Sequence, residues 1–531
     1  MAKNTANKSA VPYEQELWDA ANKLRASSSL KTTEFSNPVL GLIFLKYADY
    51  KFNEGRKQLT KTTISRRSSL SEKDRFHDLG ILYLPEKARF SYLLNLPESE
   101  NTSKALNEAM SLIEQENLTV LDGVLPKNYQ RLGNTILKGL LKQFNAIDMS
   151  KIEGDAFGKI YEFFLGKFAS AEGQRGGEFF TPTTLVQLIV EILKPMQGNI
   201  YDPACGSGGM FVQSSEFIKR NKGVPNEKIV IYGQEKTEET VKLCKMNLAV
   251  HGLEGHIHTG NTMETDLMSE TDLGTSIGKM NFVMANPPFN VKGVDKKKLA
   301  KDSRYCFGIP TADNANYLWI QCFYSALSTN GRAGFVMPNS ASDARQTEQL
   351  IREKIIKDGV VDVMVSVGSN FFHNVALPCA LWFFDKAKRR TDRKNKVLFL
   401  DIKNIYTEID RAHNEFSEDQ IEFIANVVKL YRGEKPTFEY CDKAAFSKQF
   451  PGLKYRDIKG LCKVEGIKEI EAQSWSLNPG RYVGVAKEEK KNYVFEDKLK
   501  ALNTELIVLN KQSKILEESI NAQVRTLLKH K

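Results

Sequence analysis

The sequence predicts an α/β fold on a mainly parallel sheet, preceded by a helical domain and followed by a helical tail. Three observations carry this. From about residue 154, apolar β-branched segments alternate with helical ones, a pattern that covers a parallel sheet with helices on both faces. Before that point strand signals are nearly absent. Beyond about residue 487, leucines and isoleucines recur at three-four spacing.

The first domain, residues 1–153, is helical. "YEQELWDAANKLRA" sets Leu17, Trp18, Ala21 and Leu24 on one helical face. "NPVLGLIFLKYADYKF" reads as a second apolar helix opening at Pro38, where a missing N–H costs nothing. The charged stretch "TKTTISRRSSLSEKDRF" breaks the pattern and reads as an exposed loop.

The second domain, residues 154–486, opens with "GDAFGKIYEFFLGKFASAEGQRGGEFFTP", which runs helix, glycine-rich loop, short extended piece. Strands follow at "GNIYDPA", "KIVIYGQ", "HIHTG", "NFVMAN", "RAGFVMP", "VVDVMVSV", "CALWFFD" and "VLFLDI", with helices such as "TEETVKLCKMNLAVHGL" between the earlier ones. In the tail, residues 487–531, the stripe Leu499, Leu502, Leu506, Leu509, Leu516, Ile520 and Leu527 is interrupted by polar Ser513 and Gln523. Such a stripe suits a coiled coil or a partner-facing helix; the same stripe would also serve a helix packed on its own domain.

Composition narrows the class. A chain of 531 residues exceeds one hydrophobic core, so two or three units are expected. Hydrophobic residues at 41% and charged residues at 26% are those of a soluble globular protein. No apolar run reaches the roughly eighteen residues of a membrane span, and "MAKNTANKSAVPYEQ" lacks the apolar core of a signal peptide, so no membrane partner and a cytoplasmic location are expected. The seven cysteines form no C-x-x-C pair, so neither a metal site nor a disulfide framework is expected. A net charge of +10 permits a polyanionic partner without requiring one.

The chemistry is concentrated at strand ends. "IYDPACGSGGMF" ends a strand at Asp202 and turns through Gly206, Ser207, Gly208 and Gly209 into a helix, where backbone N–H groups approach a ligand closely. "KIVIYGQE" ends the next strand at Glu235, placed for the two hydroxyls of a ribose. "TGNTME" brings Asn261 to the same rim. Ligands of open α/β sheets bind beyond the carboxyl ends of the strands, so these loops converge on one nucleoside-sized ligand. The G-x-G-x-x-G spacing of nicotinamide enzymes is missing.

"NFVMANPPFN" ends the fourth strand at Asn286, Pro287, Pro288 and Phe289. Two prolines make a stiff turn with carbonyl oxygens but no N–H, and Asn286 adds a side-chain carbonyl. An amino group conjugated to an aromatic ring is a poor nucleophile, because its lone pair is delocalised. Two acceptors holding its hydrogens localise that pair and aim it, without a strong base. Phe289 offers a flat surface for the ring, and a target base in a duplex must be flipped out to reach it.

The glycine turn resembles the D-P-x-x-G-x-G signature of S-adenosylmethionine-dependent methyltransferases. With "GGEFFTP" before it and "NPPF" after it, the set looks like an amino-methyltransferase of the adenine-N6 class. The helical domain carrying "LWDAANKLR" and "VLGLIFLKYAD", joined through "YEFFLGKFA", is similar to the modification (methylase) subunit of type I restriction-modification systems, the HsdM family.

That resemblance implies a Rossmann-like fold and transfer of a methyl group from S-adenosylmethionine to the N6 amino group of adenine in double-stranded DNA, protecting host DNA. It implies that Glu178, Phe179, Phe180, Thr181, Pro182 and Thr183 line the cofactor pocket with Ser207, Gly208, Gly209 and Glu235, and that Asn286 to Phe289 are catalytic. Its implied partners are a specificity subunit (HsdS) bound by two methylase subunits, and a restriction subunit (HsdR). Cys205 departs from the small residue frequent there, with no consequence expected. A protein-glutamine methyltransferase would use the same hydrogen-bond grip, and a self-sufficient DNA adenine methylase the same chemistry. The chain lacks a G-x-x-x-x-G-K-[ST] phosphate loop, so ATP-driven translocation is not expected of it.

Overall fold

A computed structural model of the protein describes residues 13–26, 32–61, 71–146, 160–161, 163–168, 181–372, 377–411 and 413–485; in the tail it describes helical residues 499–500, 503–504, 506–507, 510–511, 513–514 and 517–518. The chain divides into two compact units, one ending at Gly484 and one beginning at Val485.

The described residues build a nine-stranded sheet from β1 (Gly198–Asp202), β2 (Ile229–Glu235), β3 (Gly255–Thr259), β4 (Met280–Ala285), β5 (Leu327–Pro338), β6 (Val361–Ser366), β7 (Cys379–Asp385), β8 (Lys396–Asp401) and β11 (Cys462–Gly466). Its order is β11-β8-β6-β7-β5-β4-β1-β2-β3. From β3 through β5 every pairing is parallel; β7 runs antiparallel between β5 and β6. All eight strands expected from the sequence are present. β9 (Thr407–Asp410) and β10 (His413–Glu415) form a separate pair, and β11 adds antiparallel to β8. These three strands are short and polar, which is why no apolar pattern signals them.

Helices cover both faces. Thr183–Leu193, Gly209–Arg220 and Glu418–Arg432 share one core with the sheet, and Asn316–Ala326 and Thr347–Lys357 share the other. β6 and β7 are buried at every position, as expected for central strands between two helical layers.

The helical domain closes around Phe35, Phe44, Phe52, Leu106, Leu137 and Phe144, all fully buried. Tyr13–Ala26 seats Leu17 and Ala21 in this core, and Trp18 lies edge-on to Phe164 and Phe168 at 5.5 and 5.0 Å. Two expectations are corrected. The second helix opens at Thr32, not at Pro38, which lies inside it. Seating the fully buried Phe35 keeps the chain helical upstream of the proline, against the hydrogen bond that proline cannot make. The expected charged loop ends in a helix, Glu72–Asp78, started by a capping box between Ser71 and Asp74 and anchored by Phe76 stacked on Phe52 at 4.4 Å. Residues 62–70 lie outside the described set.

The core of the helical domain reaches past residue 153. Ile160, Tyr161, Phe164, Leu165 and Phe168 are buried in it, as are Met246 and Val250 of the helix Glu238–Val250 that follows β2. Asn37 also donates to Glu239 Oε2 at 3.2 Å. No described helix is long and apolar enough to cross a membrane.

Candidate active site

The strand order reverses between β1 and β4, and the crevice beyond their carboxyl ends is where such sheets hold ligands. Four strand ends meet there. After β1, Asp202 is buried and its Oδ1 accepts the Ala204 N–H at 2.9 Å, starting the turn. Burial holds its carboxyl well above the usual range against that hydrogen bond, and the Glu235 charge pushes the same way. Asp202 thus shapes the turn from within.

Gly206 and Gly208 have φ of +51° and +83°, conformations that favour glycine. A Cβ at Gly208 would lie 2.9 Å from Cys244 Sγ, whereas one at Gly206 or Gly209 would meet nothing within 4 Å among the described residues. The turn is therefore packed on one side and open on the other. Cys205 lies under it, its thiol pushed well up by a hydrogen bond with Cys244 and by burial, so it stays protonated and offers no nucleophile.

Glu235, ending β2, is drawn against the turn. Its Oε2 accepts the Gly206 N–H at 3.2 Å, and its Oε1 accepts from the backbone of Lys236 and Thr237 at 2.7 and 3.2 Å. Ser207 is fixed from behind, its carbonyl accepting from Asn247 Nδ2 at 2.9 Å. After β3, Asn261 closes its own turn, accepting from Met263 N–H at 3.2 Å and donating to Glu264 Oε1 at 2.8 Å. Thr262 ties that turn to the β1 loop through the Pro203 carbonyl, at 2.5 Å. Arg304, buried and paired with Asp302, donates to the Thr262 carbonyl at 2.7 Å.

At the tip of β4, Asn286 Nδ2 donates to Thr181 Oγ1 at 2.9 Å, and Asn286 Oδ1 is buried with no protein partner among the described residues. Pro287 is buried and Pro288 half-buried. Phe289 packs with its ring edge-on to Phe372 at 6.5 Å and 84°. The turn ends in a two-way clamp: Asn290 N–H donates to Asn316 Oδ1 at 3.0 Å, and Asn316 Nδ2 returns to Asn290 Oδ1 at 2.8 Å.

Thr181, Thr183, Ser207 and Gly209, four of the expected residues, line one small pocket with Leu165, Val186, Gln213 and Asn247. Pro182 is buried at the start of the helix Thr183–Leu193. Glu178, Phe179 and Phe180 lie outside the described residues. Sequence reasoning missed Asn247, whose one signal is a polar residue inside the apolar run "MNLAV", and Phe372, which the sequence does not set apart.

An acid at one strand end, a glycine turn at another and, at a third, a carbonyl oxygen with no partner among the described residues lie at the carboxyl edge of one sheet. Comparisons with known proteins give the family. Residues 152–491 match the family model N-6 DNA Methylase and residues 13–144 the HsdM N-terminal domain. The MjaIX methylase subunit of a type I restriction enzyme from Methanocaldococcus jannaschii is 34% identical over 97% of this chain and 91% of its own length. The HindI methylase subunit from Haemophilus influenzae is 35% identical over 75% of this chain and 87% of its own. The solved type I methyltransferase subunit from Streptococcus thermophilus shares the fold, with a TM-score of 0.71 at 22% identity, covering 88% of this chain and 98% of that one. The chain belongs to the N-6 DNA methylase family, among the methylase subunits of type I restriction enzymes. It is an adenine-specific DNA methyltransferase, which sets aside the protein-glutamine alternative.

Proposed function

We propose that the methyl donor is S-adenosylmethionine and that the acceptor is an adenine flipped out of duplex DNA onto the tip of β4. The observation that carries this is Asn286 Oδ1: a buried carbonyl oxygen without a partner among the described residues, at the switch point of the sheet and tied through Thr181 to the pocket that Ser207 and Gly209 line. Leaving such an atom unpaired costs about 1–3 kcal/mol, so it favours an incoming donor.

The residues fit the cofactor. In this reading Glu235, which already accepts from the Gly206 N–H, also accepts from ribose hydroxyls, while Gly206, Ser207, Gly208 and Gly209 present backbone and Asp202 and Asn261 shape the loops around them. Thr181 and Thr183 line the same pocket as Ser207 and Gly209, and Pro182, Glu178, Phe179 and Phe180 are assigned to it by family resemblance. When bound, that cofactor supplies an electrophilic methyl group on a sulfonium. Asn286 Oδ1 and the Pro287 carbonyl accept the hydrogens of the adenine amino group and hold its lone pair in line. Pro288 stiffens the turn, and Phe289, braced edge-on by Phe372, stacks on the base.

The relatives' names support a role as one subunit of a restriction-modification assembly. The reading comprises a specificity subunit (HsdS) that reads the sequence and is bound by two methylase subunits, a restriction subunit (HsdR) in the full complex, and a cytoplasmic location. The functional division is a helical domain over 1–153, a methyltransferase domain over 154–486 and a partner-binding helix over 487–531. Among the tail's described residues Leu499, Leu506 and Ile507 are exposed, which supports an interface along that helix. Leu502, Leu509, Leu516, Ile520 and Leu527 lie outside the described residues.

Co-expression with the genomic neighbours of this chain tests the reading. Host DNA should acquire N6-methyladenine at a specific sequence with the wild-type chain and none with Asn286→Ala; modification that ignores Asn286 would overturn it.

A further inference from the structure

Asn247 lies in the helix Glu238–Val250 and is 1% exposed. Its Nδ2 donates to the Ser207 carbonyl, which decides which end of the amide faces the glycine turn. Oδ1 is thereby the polar atom Asn247 has left to present. It is buried and meets no donor of the protein among the described residues. Asn247 lines the pocket shared by Thr181, Thr183, Ser207, Gly209 and Gln213.

Gly209 begins the helix Gly209–Arg220, whose N-terminus no side chain caps. Free N–H groups at a helix start attract a carboxylate. A buried acceptor with no donor among the described residues, beside such a helix start, suits a ligand end that carries an ammonium and a carboxylate together, which is an α-amino acid. We propose that Asn247 Oδ1 accepts a hydrogen bond from the α-ammonium of the cofactor's amino-acid end. This rests on the reading of the site as an S-adenosylmethionine pocket. It makes Asn247 a cofactor-binding residue supplied by the helix behind β2, distinct from Glu235, which holds the ribose end.

A merely structural Asn247 would prop the glycine turn and act on every ligand alike, so the test compares two ligands. Calorimetry on the full chain measures affinity for S-adenosylhomocysteine and for its deaminated analogue, which keeps the adenosine, the sulfur and the carboxylate. Wild type should prefer the amino form by about ten-fold to a hundred-fold, the range for a hydrogen bond to a charged group. Asn247→Ala should bind both equally. Asn247→Asp, which keeps an acceptor, adds a negative charge and gives up the donor to Ser207, should enlarge the preference; it serves if the alanine variant does not fold, and an unchanged preference in it overturns the assignment. A wild type without preference, or a preference that Asn247→Ala leaves intact, overturns the assignment. A wild type that binds neither ligand removes the cofactor reading itself, and the assignment with it.

Discussion

Thr181 holds the amide of Asn286 by its nitrogen. The 2.9 Å bond from Nδ2 to Thr181 Oγ1 fixes the amide and leaves Oδ1 with no donor among the described residues, so a residue from the loop before the sheet orients the group at the tip of β4. Thr181 has two tasks in the proposed function: it lines the pocket assigned to the cofactor and it holds the amide assigned to catalysis.

Replacing that hydroxyl should therefore separate orientation from binding. Thr181→Val should lower kcat about two-fold to ten-fold, the worth of one neutral hydrogen bond, with cofactor affinity little changed. Thr181→Ser should restore the rate. Single-turnover kinetics with cofactor titrations check this; parallel losses of kcat and affinity would leave Thr181 as wall only.

Asn286→Ala should cost about 100-fold to 1,000-fold in methyl transfer, the scale for deleting one preorganised transition-state contact, while cofactor binding persists. A methylation assay beside calorimetry decides it, and unchanged turnover would remove Asn286 from the chemistry.

Glu235→Ala should weaken cofactor binding about ten-fold to a hundred-fold, since charge-assisted bonds to two hydroxyls are at stake. Glu235→Gln should retain part of it. Wild-type affinity in the alanine variant would show that the carboxylate serves only the Gly206 N–H it accepts here.

Asp202 carries a pH signature. Burial raises its folded pKa above the unfolded value, so above the ordinary carboxylate range the native state holds more protons than the unfolded chain, and this group's contribution falls as pH rises. Asp202→Asn keeps the oxygen that accepts from Ala204 and cannot ionise. Its melting temperature relative to wild type should therefore climb from about pH 4 toward neutrality. A difference that is flat with pH would mean that Asp202 ionises freely in the fold.

Deleting residues after about 495 should leave a folded, cofactor-binding chain that no longer co-purifies with the specificity subunit. Melting temperature, cofactor affinity and pull-down are read together; an unstable protein, or full-strength partner binding, would refute the interface.

Most strands before β9 were legible as short runs rich in apolar, β-branched or aromatic residues with turn residues near their ends. Their directions were not: nothing in "CALWFFD" tells that β7 runs against β5 and β6, since side-chain alternation is the same either way. Residues at strand ends announced themselves through odd chemistry, Asn286 and Glu235 above all. Asn247 did not, because a single asparagine on a helix acquires meaning only when a carbonyl and a pocket from distant segments arrive beside it. Pro38 misled for a related reason, since a fully buried phenylalanine three residues earlier outweighs the local rule.

The helix Glu238–Val250 turns Met246 and Val250 toward the amino-terminal core and Cys244 and Asn247 toward the glycine turn. It is a party wall, and removing the rooms on one side strips the plaster from both. Excising residues before 154 to obtain a minimal catalytic fragment would expose Met246 and Val250 and leave Phe164 and Phe168 without Trp18. Chimeras between related methylases are better joined elsewhere, with both neighbours of this helix inherited from the same parent.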